Sequence, residues 1–143
     1  MSMVARIGKG AVALAMAGAS VLGVTGSASA APGASYIGPG YATSGAGVWC
    51  VQHSINYFLA NNGSAYRASA PYWSLDEDSQ WGPKTEAEVR WFQAHWGYDQ
   101  DGIVGPTTGF QILVYGEPKF SGTPWNGPGY CYWQVPSDHM YGA

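Results

Sequence analysis

The sequence predicts an all-α fold: a small three-helix bundle with an irregular N-terminal leader and a Pro/Gly/aromatic C-terminal tail tethered by a disulfide. Three observations predict it. Apolar residues recur at helical spacing in three segments between positions 48 and 115. Two of those segments open on a matching Gly-Pro-x-Thr, with Pro in its favoured first-turn place. Two cysteines, Cys50 and Cys131, lie far apart in a chain whose start reads as an export signal.

Residues 1–30 carry the parts of a secretory signal peptide: basic Arg6 and Lys9, an uncharged run from Ala11 to Val24, and Ala28-Ser29-Ala30. The run is short and diluted by Gly, Ser and Thr, so a membrane anchor of about 20 strongly apolar residues is the weaker reading. Cleavage after Ala30 would leave four basic and nine acidic residues, a formal charge of −5, and all of the 7 Trp, 10 Tyr and 4 Phe. That balance excludes a nucleic-acid binder working by phosphate neutralisation and leaves no membrane partner once the signal is removed. In an oxidising compartment Cys50 and Cys131 are expected to pair, closing a loop of about 80 residues; two free buried thiols are the alternative.

Residues 31–43, rich in Gly, Ala, Ser and Pro, read as a flexible leader. The first helix is expected over Val48–Ala60, with Val48, Val51, Ile55, Phe58 and Leu59 on one face, Ser44 or Gly47 as its cap and Asn61-Asn62-Gly63 as its stop. Residues 64–80 read as a long connection, with Asp76, Glu77 and Asp78 as solvated charge. The second helix opens at Gly82-Pro83, lines up Thr85, Val89, Phe92 and Trp96, and ends at Gly97. Glu86 and Glu88 suit its positive end as solvated acids. The third opens at Gly105-Pro106, carries Ile112 and Leu113, and closes at Tyr115–Pro118. Its opening repeats that of the second helix 23 residues on. The aromatic tail, 116–143, is expected to pack back on the bundle, which is marginal by area alone.

Val48-Trp49-Cys50-Val51-Gln52-His53-Ser54-Ile55-Asn56 resembles the opening helix of the peptidoglycan-binding domain of bacterial cell-wall hydrolases. Trp81-Gly82-Pro83-Lys84-Thr85 with Val89 and Phe92-Gln93 resembles its second helix, and Asp101-Gly102-Ile103-Val104-Gly105-Pro106-Thr107-Thr108 matches its third motif. The resemblance spans residues 44–115. It departs from the family at Ser79-Gln80, where Asp-Gly is usual, at Glu88 in place of a small Ala, and at Gly109 in place of a Trp. It implies a three-helix module that binds cell-wall peptidoglycan without catalysis, here exported without an attached hydrolase.

The remaining chemistry is sparse. His53, His95 and His139 offer no His-x-x-x-His spacing, no Cys-x-x-Cys or Gly-x-Ser-x-Gly is present, and the Asp99 turn lacks the acid a calcium loop needs at its twelfth position. No metal, cofactor or catalytic residue is therefore expected. Phe58, Phe92, Trp96 and Phe110 are assigned to the core. Trp49 and Trp91 fall off the apolar stripes, and Tyr66 and Tyr72 fall on the long connection. The expected ligand surface comprises Trp81, Tyr98, Asp101, Gly105, Thr107 and Thr108, with Trp73 from the long connection, since flat rings with polar tips suit a glycan or stem peptide. The alternatives are a secreted protein partner bound or inhibited by the same surface and, less favoured, a minimal cell-wall hydrolase.

Overall fold

A computed structural model describes residues 34–138; the expected signal peptide and His139 lie outside them. The described chain holds five helices, three of them longer than six residues: α1 (Ala46–Asn61), α2 (Ser64–Ser69), α3 (Pro83–His95), α4 (Pro106–Val114) and α5 (Pro118–Ser121). A two-stranded antiparallel hairpin, β1 (Gly122–Thr123) and β2 (Gly127–Pro128), and a 3₁₀ turn at Tyr130–Trp133 complete the tail.

The three long helices are those the periodicity predicts. Val48, Val51, Ile55, Phe58 and Leu59 of α1 meet Val89 and Phe92 of α3 and Ile112 and Leu113 of α4, all buried. Phe58 stands at the centre of an aromatic cluster, edge-on to Phe92 at 5.4 Å and to Tyr115 at 5.7 Å, with Tyr66, Trp91 and Trp96 around it. Tyr66 and Trp91 thus finish the core. Of the four aromatics assigned to it, Phe58 and Phe92 are buried while Trp96 and Phe110 are half-buried.

Several expectations change. α1 begins two residues early, capped by Gly45 rather than Ser44 or Gly47. The 64–80 connection contains α2, a turn of helix with no buried residue and hence no apolar stripe to reveal it. The described part of the leader is docked: Ile37 is 1% exposed and exchanges backbone hydrogen bonds with Val104 at 3.1 and 2.8 Å. Glu88 is fully buried rather than solvated, because residues 70–73 fold over α3 and the Tyr72 N–H donates to its carboxylate.

The described part of the tail, to residue 138, packs back as expected, and the disulfide is formed between Cys50 and Cys131, both fully buried. Gly109 explains one departure from the family pattern. A Cβ there would collide with the Pro136 carbonyl, so the tail occupies the room a larger residue would take.

The repeated Gly-Pro-x-Thr is the visible end of a longer structural repeat. Gln52 donates from Nε2 to Asp78 Oδ1 at 2.9 Å, to the Gln80 carbonyl at 2.9 Å and to Thr85 Oγ1 at 3.1 Å, while its Oε1 accepts from Ser79 N at 3.0 Å. Gln93 does the same to Asp101 Oδ1 at 2.8 Å, the Ile103 carbonyl at 2.9 Å and Thr108 Oγ1 at 3.2 Å, and accepts from Gly102 N at 3.0 Å. Each buried amide thereby ties a tight turn to the helix start that follows it. The counterpart of Asp101-Gly102 is therefore Asp78-Ser79, one residue earlier than Ser79-Gln80. Ser79 adopts φ 63°, beside φ 72° at Gly102. Left-handed backbone costs a side-chain-bearing residue about 1–2 kcal/mol, and glycine gives part of that back as entropy. Ser79→Gly is expected to stabilise the fold by about 0.5–1 kcal/mol, measured by urea unfolding.

Candidate functional site

The second of the two turns opens on a surface pocket of about 480 Å³. The α3–α4 connection makes one wall and the start of α4 another. Asp101 does not point its whole carboxylate at solvent. Its Oδ1 accepts from Gln93 Nε2 and from Ile103 N, both at 2.8 Å, so it fixes the turn. Thr108 is buried, with its hydroxyl on Gln93, while Thr107 is exposed beside it. Gly105 caps α4 through its extended backbone, with no side-chain cap and no acid in the first turn, so first-turn N–H groups remain for an acceptor.

Five of the expected ligand residues, Tyr98, Asp101, Gly105, Thr107 and Thr108, line this one pocket. Trp81 and Trp73 do not. Trp81 is half-buried, the counterpart of Val104 in the repeat; its backbone N–H donates to the Thr43 carbonyl at 2.8 Å and its indole packs against the core. Trp73 is 71% exposed in the 70–80 segment, with the Arg67 guanidinium 5.1 Å above its ring. The second ring of the pocket lining, beside Tyr98, is instead Tyr36, which lies against Gly105 and tilts on Tyr41 at 5.2 Å. Nothing in a Gly/Pro-rich leader marks Tyr36 beforehand, because it is brought there by the Ile37–Val104 pairing. Gln93 is marked only by its place in the motif.

The other polar features are structural. His53 donates or accepts at both ring nitrogens, to Glu77 at 3.0 Å and Glu117 at 2.8 Å. Burial opposes its charging, but the two carboxylates outweigh that and hold its pKa above the usual value. Asn56 holds the same segment, bonding both backbone groups of Leu75 at 2.9 and 2.7 Å and Glu77 Oε1 at 2.9 Å. The Asp76–Asp78 run is thus exposed, as expected, yet two of its acids carry the connection's anchorage. The amide of Gln52, then Gln80 N, hold Asp78 below the usual carboxylate range. Burial pushes Glu88 up to about 7, against the Tyr72 hydrogen bond. Among the described residues no group of three or more His, Cys, Asp or Glu could hold a metal ion, and no helix is long and apolar enough to cross a membrane.

Residues 59–109 match the model of a family described as "putative peptidoglycan binding domain". The match runs from the end of α1 through α3 to Gly109, and so contains most of the turn pocket, but neither Tyr36 nor the tail. No curated protein and no solved structure matches the chain.

Proposed function

We propose that this chain, carrying a peptidoglycan-binding match over residues 59–109, is a secreted, non-catalytic module that holds bacterial cell-wall peptidoglycan in its turn pocket. The observation that carries the reading is the Gln93–Asp101–Thr108 cage. It fixes a polar, open pocket whose lining lies inside the matched region except for Tyr36, which the Ile37–Val104 pairing adds to Tyr98 there. A pre-formed pocket with two phenol rings, a carboxylate and free helix-start N–H groups suits a ligand that mixes apolar faces with amide and hydroxyl groups. Such chemistry belongs to a glycan carrying acetamido groups or to its stem peptide.

The acidic composition favours binding that depends little on salt, since no long-range attraction draws an anionic wall polymer to the chain. Glu88, the carboxyl whose pKa most resembles that of a general acid, is fully buried beneath Tyr72 and away from the turn pocket. That placement supports a holding role over hydrolysis. Trp73, exposed on another part of the surface, is a contact for an extended wall strand in this reading, and Trp81 is assigned to packing. Tyr98→Ala and Tyr36→Ala are each expected to weaken binding to isolated sacculi about five- to tenfold while leaving thermal stability within a few degrees. Unchanged pelleting in both variants would move the ligand off this pocket. A soluble protein captured through the same tyrosines, with sacculi ignored, would make a protein-interaction module the better reading.

A further inference from the structure

We infer that the cleft between the start of α1 and the tail is a second binding site, whose ligand is a neutral oligosaccharide. The cleft has a volume of about 570 Å³ and is lined by Gly45, Ala46, Trp49, Ser79, Phe120 and Tyr130. Phe120 and Tyr130 both stand edge-on to Trp49, at 5.3 Å and 76° and at 6.5 Å and 67°, so the three rings form a corner rather than a flat patch. None of the lining residues is charged.

The corner is built before any ligand arrives. Trp49 stacks on His53 at 4.7 Å and 10°, and His53 is clamped by Glu77 and Glu117. Phe120 also packs edge-on to His53 at 4.8 Å and carries Lys119 Nζ at 5.3 Å from its ring centre. Tyr130 is next to Cys131, whose disulfide ties it to α1. Rings fixed in this way lose little freedom on binding, which is the condition under which stacking converts into affinity. The tail is anchored well enough to hide its aromatics, yet Tyr130 is 53% exposed and Trp125, at the hairpin turn, 92%.

The chemistry of the walls selects the ligand. Aromatic faces take the C–H face of a pyranose, and the hydroxyls of Ser79 and Tyr130 supply bonds for its edge groups. With no charged side chain in the lining and an acidic chain around it, an anionic ligand would be desolvated without compensation, and a cationic one would compete with Lys119, which already lies over the Phe120 ring. A protein partner would need a broader surface than a concave corner of this size. Ser79 also sits between Asp78 and Gln80, which line a neighbouring pocket of about 250 Å³ with Leu75 and Lys84. The cleft's own volume of about 570 Å³ exceeds that of one sugar ring, so the occupant extends beyond a monosaccharide. This site lies outside the matched residues except for Ser79, and stands whether or not the turn pocket binds peptidoglycan.

The test titrates N-acetylglucosamine and its di-, tri- and tetrasaccharide into the purified, disulfide-intact chain, followed by tryptophan fluorescence and amide shift mapping. The expected result is shifts at Gly45, Ala46, Ser79 and Tyr130, with affinity rising about tenfold from monosaccharide to tetrasaccharide. Tyr130→Ala, at an exposed position, should weaken the tetrasaccharide about tenfold as read from the Gly45, Ala46 and Ser79 amides without lowering the melting temperature, and Tyr98→Ala should leave the titration of those three amides unchanged, whatever it does at the turn pocket. Absence of shifts with every oligomer, shifts confined to the Tyr98 pocket, or full affinity in Tyr130→Ala would each overturn the assignment.

Discussion

Cys50→Ala/Cys131→Ala is expected to lose about 4–5 kcal/mol of stability and roughly 15 °C in melting temperature. The bridge spans 81 residues, so its removal returns a long loop's worth of entropy to the unfolded chain. It also frees the tail, and the consequences are local. Tyr132 and Val135 are buried against the core, and the Pro136 carbonyl sits on α4 at Gly109. Without the bridge those contacts must hold the tail alone, and the Trp49–Phe120–Tyr130 corner loses one wall's anchorage. Urea unfolding of the oxidised chain, the reduced chain and the double variant measures the loss. A drop below about 1 kcal/mol would mean that packing already fixes the tail and that the bridge serves another end.

Replacing Glu88 with Gln is expected to stabilise the protein by up to about 3 kcal/mol at pH 8 and to change little at pH 4.5. Burial raises the folded-state pKa from 4.5 to about 7. The fold therefore carries no penalty while the group is protonated in both states, below pH 4.5. The penalty grows as pH rises from 4.5 to 7 and is complete above that, where the carboxylate must be charged inside the protein. Glutamine keeps the acceptor for Tyr72 N–H and removes the charge. His53 acts in the same direction: with its pKa raised, its contribution is full below its unfolded value of 6.5 and lost as pH climbs through the folded one. Asp78 acts oppositely, and its contribution disappears only as pH falls below the usual carboxylate range. The wild type should thus be most stable on the acid side of neutrality, between about pH 4 and 6. Denaturant unfolding from pH 4 to 8 checks both statements. Parallel curves for wild type and Glu88→Gln would show that Glu88 does not titrate in the folded state as argued.

The parts of this molecule that were legible in the sequence are those with local signals. Five apolar positions of α1 and the helix starts at Pro83 and Pro106 follow from periodicity and from proline's fixed φ. The parts that were not legible depend on distant partners. Ile37 is one apolar residue in a turn-rich stretch, and only its pairing with Val104 makes it core. Glu88 looks like an ordinary solvated acid near a helix start until residues 70–73 cover it. The turn pocket was readable to the extent that its residues are contiguous: Tyr98 to Thr108 come from one connection and its helix start. Tyr36 enters from the leader and could not be read. The role of Gln52 and Gln93 was hidden because polar residues on a helix leave no periodic mark, although the 23-residue echo of Gly-Pro-x-Thr was already the trace of their two cages.

The most direct test of the central claim is co-sedimentation of the purified, disulfide-intact chain with isolated peptidoglycan sacculi, at low and high salt, with the supernatant assayed for released fragments. The account predicts pelleting that persists at high salt, is weakened by Tyr98→Ala, and releases no soluble fragments. Absence of pelleting at either salt would contradict it, leaving a fold whose turn pocket serves a different ligand, and release of fragments would contradict the non-catalytic role.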